Sequence, residues 1–126
     1  MKQTEILLTI KLHQELFIDP KRVRLLKEIK ECGSINQAAK NATVSYKSAW
    51  DHLEAMNKIS PKPLLERNIG GKNGGGTSLT TYAERLLQLY DFLEQTQEHA
   101  FHILQDETIP LNSLLSATAK FSLQSS

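Results

Sequence analysis

Four pieces of punctuation in the middle of the chain decide what it can fold into: Asp19-Pro20, Gly33-Ser34, Ser45, and the pair Pro61 and Pro63. Aspartate caps exposed amides and proline suits the first helical position, so a helix opens at Pro20. Gly33 suits a left-handed C-cap for that helix, and Ser34 opens a second one, with Gln37 placed to complete a capping box. The second helix is brief, with Ile35, Ala38, Ala39 and Ala42, before Thr43-Val44-Ser45 interrupts it. Ser45 then caps a third helix from Tyr46 to about Lys58, which Pro61 and Pro63 stop.

The apolar positions say how these helices pack. Val23, Leu26 and Ile29, with Leu25 beside them, face inward on the first, while Arg22, Arg24, Lys27 and Lys30 fall on its other faces. Ala38 and Ala39 let the third helix cross the second closely. On that third helix Ala49, Leu53 and Met56 form the buried stripe, and Lys47, Ser48, Asp51 and Ala55 the opposite arc. Ahead of them, the alternation of Ile6, Leu8, Ile10 and Leu12 reads as a strand, with Leu16-Phe17-Ile18 able to return as its hairpin partner. Behind them, Leu64 to Arg67 reads as a short strand and Thr77-Ser78-Leu79 as its partner, joined by a loop that holds five of the six glycines. The fold class is therefore mainly α with small β elements: a helix-turn-helix carrying a β-hairpin wing.

A long helix follows, capped by Thr80 or Thr81. Tyr82, Leu86, Leu89, Leu93, Thr96, Ala100 and Ile103 recur at alternating steps of four and three, the seam of a helix pair. Leu87, Tyr90, Phe101 and Leu104 widen the stripe, so this helix is expected to pack on its own domain with one side and on a partner helix with the other. The expected organisation is a winged helix-turn-helix with its dimerisation helix (about 80–105) over residues 1–105, then a C-terminal segment over 106–126.

Composition enters at this point. The whole chain has a formal charge of +1, which taken alone argues against a nucleic-acid partner. By position, however, Lys21 to Arg85 carries 12 basic and 6 acidic residues, a balance of +6 beside flanks of −5. Such asymmetry fits an anionic partner for the basic part or an unevenly charged solvated surface. The helix-turn-helix pattern favours the first.

On that reading the turn Ser45-Tyr46-Lys47-Ser48 enters the major groove, because recognition helices present base edges with their first turns. Ser34 belongs to the same DNA-binding set. Lys47 suits a phosphate better than a base. Tyr46 either offers its hydroxyl to DNA or lays its ring on Trp50, which is read as packing. Asp51 either accepts from a cytosine amine or orients Lys47. Arg67 and Lys72 are placed to reach phosphate or minor groove from the wing, unless the glycine loop makes no contacts at all.

Several classes are set aside. Lys72 is followed by Asn73, so the glycine loop lacks the P-loop spacing. His13, His52, His99 and His102 form no convincing metal set, no catalytic triad follows from spacing, and Cys32 is read as a small packed residue. No enzyme, metal or cofactor is expected in these residues. No apolar run approaches a membrane span and no secretory leader opens the chain, so a cytoplasmic setting is expected.

From Gly33 onward the string resembles a known family. The Ser-Tyr-Lys-Ser-Ala-Trp core at Ser45 to Trp50, the glycine-rich wing and the run from Pro63 to Leu87 are similar to the N-terminal DNA-binding domain of the ModE family of molybdate-responsive regulators. More distantly they resemble the LysR-type winged helix-turn-helix. The opening from Glu5 and the ending from Pro110 match as well. The resemblance implies a homodimer that binds pseudo-palindromic double-stranded operators and represses molybdate-uptake genes when molybdate fills separate C-terminal domains. Those domains would begin just after Ser126, so residues 1–126 are expected to lack the molybdate site. The alternative reading is a winged-helix dimer that acts as a protein-interaction module without DNA.

Overall fold

The computed structural model describes residues 5–68, 76–110 and 112. Leu7–Leu89 form one compact unit, and the described residues from Tyr90 onward belong to a second.

The first unit begins with a hairpin, β1 (Ile10–Leu12) paired antiparallel with β2 (Glu15–Ile18). His13 and Gln14 make its two-residue turn, both in the left-handed region at φ 53° and 67°, which matches the twist of the flanking strands. The strand expected from Ile6 is therefore shorter. Its partner ends at Ile18, because Asp19-Pro20 opens a helix, and Ile10↔Ile18 is the last pair the ladder can make.

Helix α1 (Pro20–Cys32) begins and ends where its punctuation dictates. The Asp19 carboxylate accepts from the Arg22 backbone N–H at 2.8 Å, and Gly33 closes the helix at φ 67°, its N–H donating to Ile29 O at 2.8 Å. Val23, Leu25, Leu26 and Ile29 are buried as expected. Arg22 is not on an outer face: it is only 7% exposed. Its guanidinium donates to Leu16 O at 2.7 Å, Phe17 O at 3.2 Å and His52 Nδ1 at 3.1 Å, so the end of β2 and α3 supply the acceptors that make its burial tolerable. Cys32 is exposed rather than packed, on the outer side of the last turn, with its thiol donating to Glu28 O.

Helix α2 (Ile35–Asn41) is capped by Ser34, whose hydroxyl accepts from the Gln37 N–H at 3.1 Å. The Gln37 side chain reaches forward, its amide nitrogen donating to Asn41 Oδ1 at 3.0 Å. The turn that follows places Thr43 at φ 60° and returns the Val44 N–H to Ala39 O at 3.0 Å. Helix α3 (Tyr46–Ile59) starts on Ser45, which accepts from the Ser48 N–H at 3.0 Å. Ala49, Leu53 and Met56 are fully buried beneath it.

After α3 the Asn57 side chain accepts the Leu64 N–H at 2.8 Å, and Leu64 turns into the core. The wing strand therefore starts one residue later than expected, as β3 (Leu65–Asn68), paired with β4 (Gly76–Leu79) from Leu65↔Leu79 to Asn68↔Gly76. The wing tip and Lys72 lie outside the described residues. Thr80 then donates to Pro63 O at 2.7 Å and accepts from the Ala83 N–H at 3.1 Å, opening α4 (Thr81–Gln105).

The seam read along α4 divides by exposure. Leu86 is buried in the single chain and so is Ile103, whereas Tyr82, Leu93 and Ala100 are half-buried and Leu89 is 44% exposed. Phe92, absent from the expected seam, is 40% exposed, and Tyr90 is fully buried. No helix among the described residues is long and apolar enough to cross a membrane.

Candidate nucleic-acid interface

The first turn of α3 stands clear of the core because the buried stripe beneath it starts only at Ala49. Tyr46 is 51% exposed, and the Lys47 side chain is 85% exposed. Ser45 is exposed and Ser48 half-buried. Lys47 Nζ lies 3.1 Å from Asp51 one turn on. Such an exposed pair is worth only about 0.2–1 kcal/mol, so a phosphate can take the ammonium from it.

Tyr46 meets Trp50 edge-on, with ring centroids 6.2 Å apart and planes at 79°. The other partner of Trp50 comes from the wing: the Arg67 guanidinium carbon is 5.2 Å from the indole centroid. Arg67 is thus in the stem of the wing, on β3, and not at its tip. These side chains, with Ser34, Asn36, Asn68 and Thr77, line an open cleft of about 470 Å³ between the starts of α2 and α3 and the wing.

Two backbone features set the wing against the helices. The Thr77 N–H donates to Gly33 O at 2.9 Å, and a Cβ on Gly76 would sit 2.9 Å from that same carbonyl oxygen. Only a residue without a side chain lets β4 run this close to the α1–α2 corner. Neither partner is visible in sequence, since Gly33 reads only as a helix end and Gly76 only as one of a loop cluster.

Behind α3 lies the pair that spacing gave no signal for, Arg22 and His52, thirty positions apart. Burial, then the neighbouring Arg22 charge, holds the His52 imidazole below its ordinary pKa of 6.5; Lys21 acts the same way, while Asp19 and Asp51 oppose. The unfolded chain therefore binds a proton that the fold refuses, and stability is fully present above the ordinary value and falls as pH drops below it. Thermal midpoints are expected to fall between about pH 7.5 and pH 5.5 in the natural chain, and to fall less in His52→Gln. Equal slopes in the two proteins would remove His52 from the account.

Three short helices on one corner, the third presenting its first turn beside a two-stranded wing, define the winged helix-turn-helix class of DNA-binding proteins. Residues 20–84 match the bacterial regulatory helix-turn-helix proteins of the lysR family, and the chain belongs to that family. It is 87% identical, over all 126 residues, to Transcriptional regulator ModE of Haemophilus influenzae, of which it covers 49%. It is 58% identical over 125 residues, 98% of the chain and 48% of the relative, to DNA-binding transcriptional dual regulator ModE of Escherichia coli K12. Over 85 residues, 68% of the chain and 32% of the relative, it is 46% identical to Molybdenum transport protein ModE of Azotobacter vinelandii. The chain spans about half the length of the first two.

Proposed function

We propose that the chain is the sequence-specific DNA-reading part of a cytoplasmic transcription regulator that controls molybdate transport and other molybdenum genes. The observation that carries this is the exposed first turn of α3 beside a wing stem fixed to the α1–α2 corner. Ser45, Tyr46, Lys47 and Ser48 face the duplex, Asp51 sets the position of Lys47, and Ser34 and Arg67 belong to the same surface. Lys72 contributes a phosphate contact from the wing. The names of the relatives, a DNA-binding regulator and a molybdenum transport protein, support the gene class.

The chain works as a homodimer along α4, with Tyr82, Leu89, Leu93 and Ala100 as the free part of the seam and Phe92 added to it; Leu86 and Ile103 serve the single chain. Two copies of α3 then enter successive major grooves of a pseudo-palindromic operator, about 34 Å apart. No cofactor acts within these residues: molybdate is held by another part of the regulator, and calorimetry of this chain against molybdate is expected to show no micromolar binding.

The deciding experiment is a titration of a palindromic operator and a scrambled duplex across salt. The operator is expected to bind more tightly, with log affinity falling linearly in log salt by about 0.9 per phosphate neutralised. Equal affinity for both duplexes would remove the sequence-specific reading. A stable dimer that binds no duplex at low salt would make the chain a protein-interaction module. Tyr46→Ala is expected to narrow the gap between operator and scrambled duplex by about tenfold, whereas Lys72→Ala weakens both alike.

A further inference from the structure

We propose that Arg67 is a positioning residue and not a phosphate contact: held on the face of Trp50, it fastens the wing stem to the recognition helix, so that wing and α3 meet a duplex as one surface. This rests on the DNA-binding reading and adds to it how the reading surface is assembled.

The register carries the argument. Arg67 on β3 stands directly across from Thr77 on β4. Thr77 binds the Gly33 carbonyl at the α1–α2 corner, and Arg67 lies over the indole of Trp50 on α3. One cross-strand pair therefore attaches the wing from both of its strands, to two different places on the helices. The next described pair outward, Asn68 and Gly76, continues the ladder from there.

The chemistry of the second attachment is specific. A guanidinium is flat, weakly hydrated and able to lie on an aromatic face, which an ammonium does less well. Among the described residues Arg67 has no carboxylate partner, so the indole is what orients it. Trp50 is in turn braced by the edge-on ring of Tyr46 from within its own helix. A tyrosine of the reading turn, a tryptophan and a wing arginine thus touch in succession along the cleft.

The test uses a duplex selected from a randomised pool by the natural chain. Arg67→Ala and Trp50→Leu are each expected to weaken binding about three- to fivefold, and the double variant no more than either single one. The salt slope is expected to stay unchanged in Arg67→Ala. A slope reduced by about 0.9, the mark of a lost phosphate contact, overturns the proposal, as do losses that add in the double variant. Trp50→Phe keeps an aromatic face and is expected to bind within about twofold of the natural chain.

A second arm needs no DNA. Trp50 is the only tryptophan, so acrylamide quenching of its emission reads directly whether Arg67 covers it. Quenching is expected to rise in Arg67→Ala, partly so in Arg67→Lys, and no rise in Arg67→Ala overturns the clamp. If the natural chain selects no duplex, the DNA-binding reading fails, while the quenching result still decides the clamp.

Discussion

Arg22→Met is expected to cost the fold about 2–4 kcal/mol, although the residue belongs to no expected DNA contact. Methionine keeps an unbranched stem of similar reach but has no donors. The carbonyls of Leu16 and Phe17 and the Nδ1 of His52 would each lose the partner that the guanidinium gives them. A hydrogen bond from a charged donor contributes about 1.5–3 kcal/mol, and an acceptor left behind unpaired costs more than one never buried. Arg22 also holds three elements together: it leaves α1, ends β2 and touches α3. Urea unfolding followed by circular dichroism should show a lower midpoint at unchanged slope. The pH dependence carried by His52 should shrink without vanishing, because burial is its larger cause and Arg22 the second. A loss below about 0.5 kcal/mol would mean that water replaces the guanidinium without penalty.

Gly76→Ala is expected to do more harm to binding than to folding. The added methyl would lie 2.9 Å from the Gly33 carbonyl oxygen, a backbone atom with no flexible end to swing aside. Relief comes only from moving the start of β4 outward, which stretches the Thr77 N–H bond to that carbonyl. The stability cost is about 1–3 kcal/mol, the range for overpacking by one methyl. The wing would lose its attachment to the α1–α2 corner, and affinity for a selected duplex is expected to fall about tenfold or more, which is about 1.4 kcal/mol. Ser78→Ala, two positions along the same strand, is the control and should bind like the natural chain. Binding of Gly76→Ala within about twofold of the natural chain would show that the wing direction is set elsewhere.

Both predictions turn on contacts between residues far apart in the chain, and this marks what could be read in advance. The helix ends are legible: Asp19, Gly33, Ser34 and Ser45 each act locally on an amide or carbonyl a few positions away, and of Thr80 and Thr81 the structure selects Thr80. The stripe of Ala49, Leu53 and Met56 was legible for the same reason, since helical spacing alone brings it to one face. Arg22 was misread, because arginine is usually exposed and nothing near it in sequence announces the acceptors at Leu16, Phe17 and His52. Cys32 errs in the opposite sense: it reads as a small packed residue, and the last turn of α1 leaves it outside. For Arg67 the sequence shows the charge but not the ring it lies on, because Trp50 belongs to another element.

By itself, then, the sequence determined the order and limits of the helices, the wing, and the side chains offered by the first turn of α3, because caps, turns and helical periodicity act within a few residues. Only the tertiary structure decided how those pieces face each other: that β4 touches Gly33, that Arg67 lies on Trp50, that Arg22 is buried beside His52, and that Leu86 is spent inside the single chain. The reason is that such contacts depend on the packing of several elements at once, and no short stretch of sequence specifies the partner on its far side.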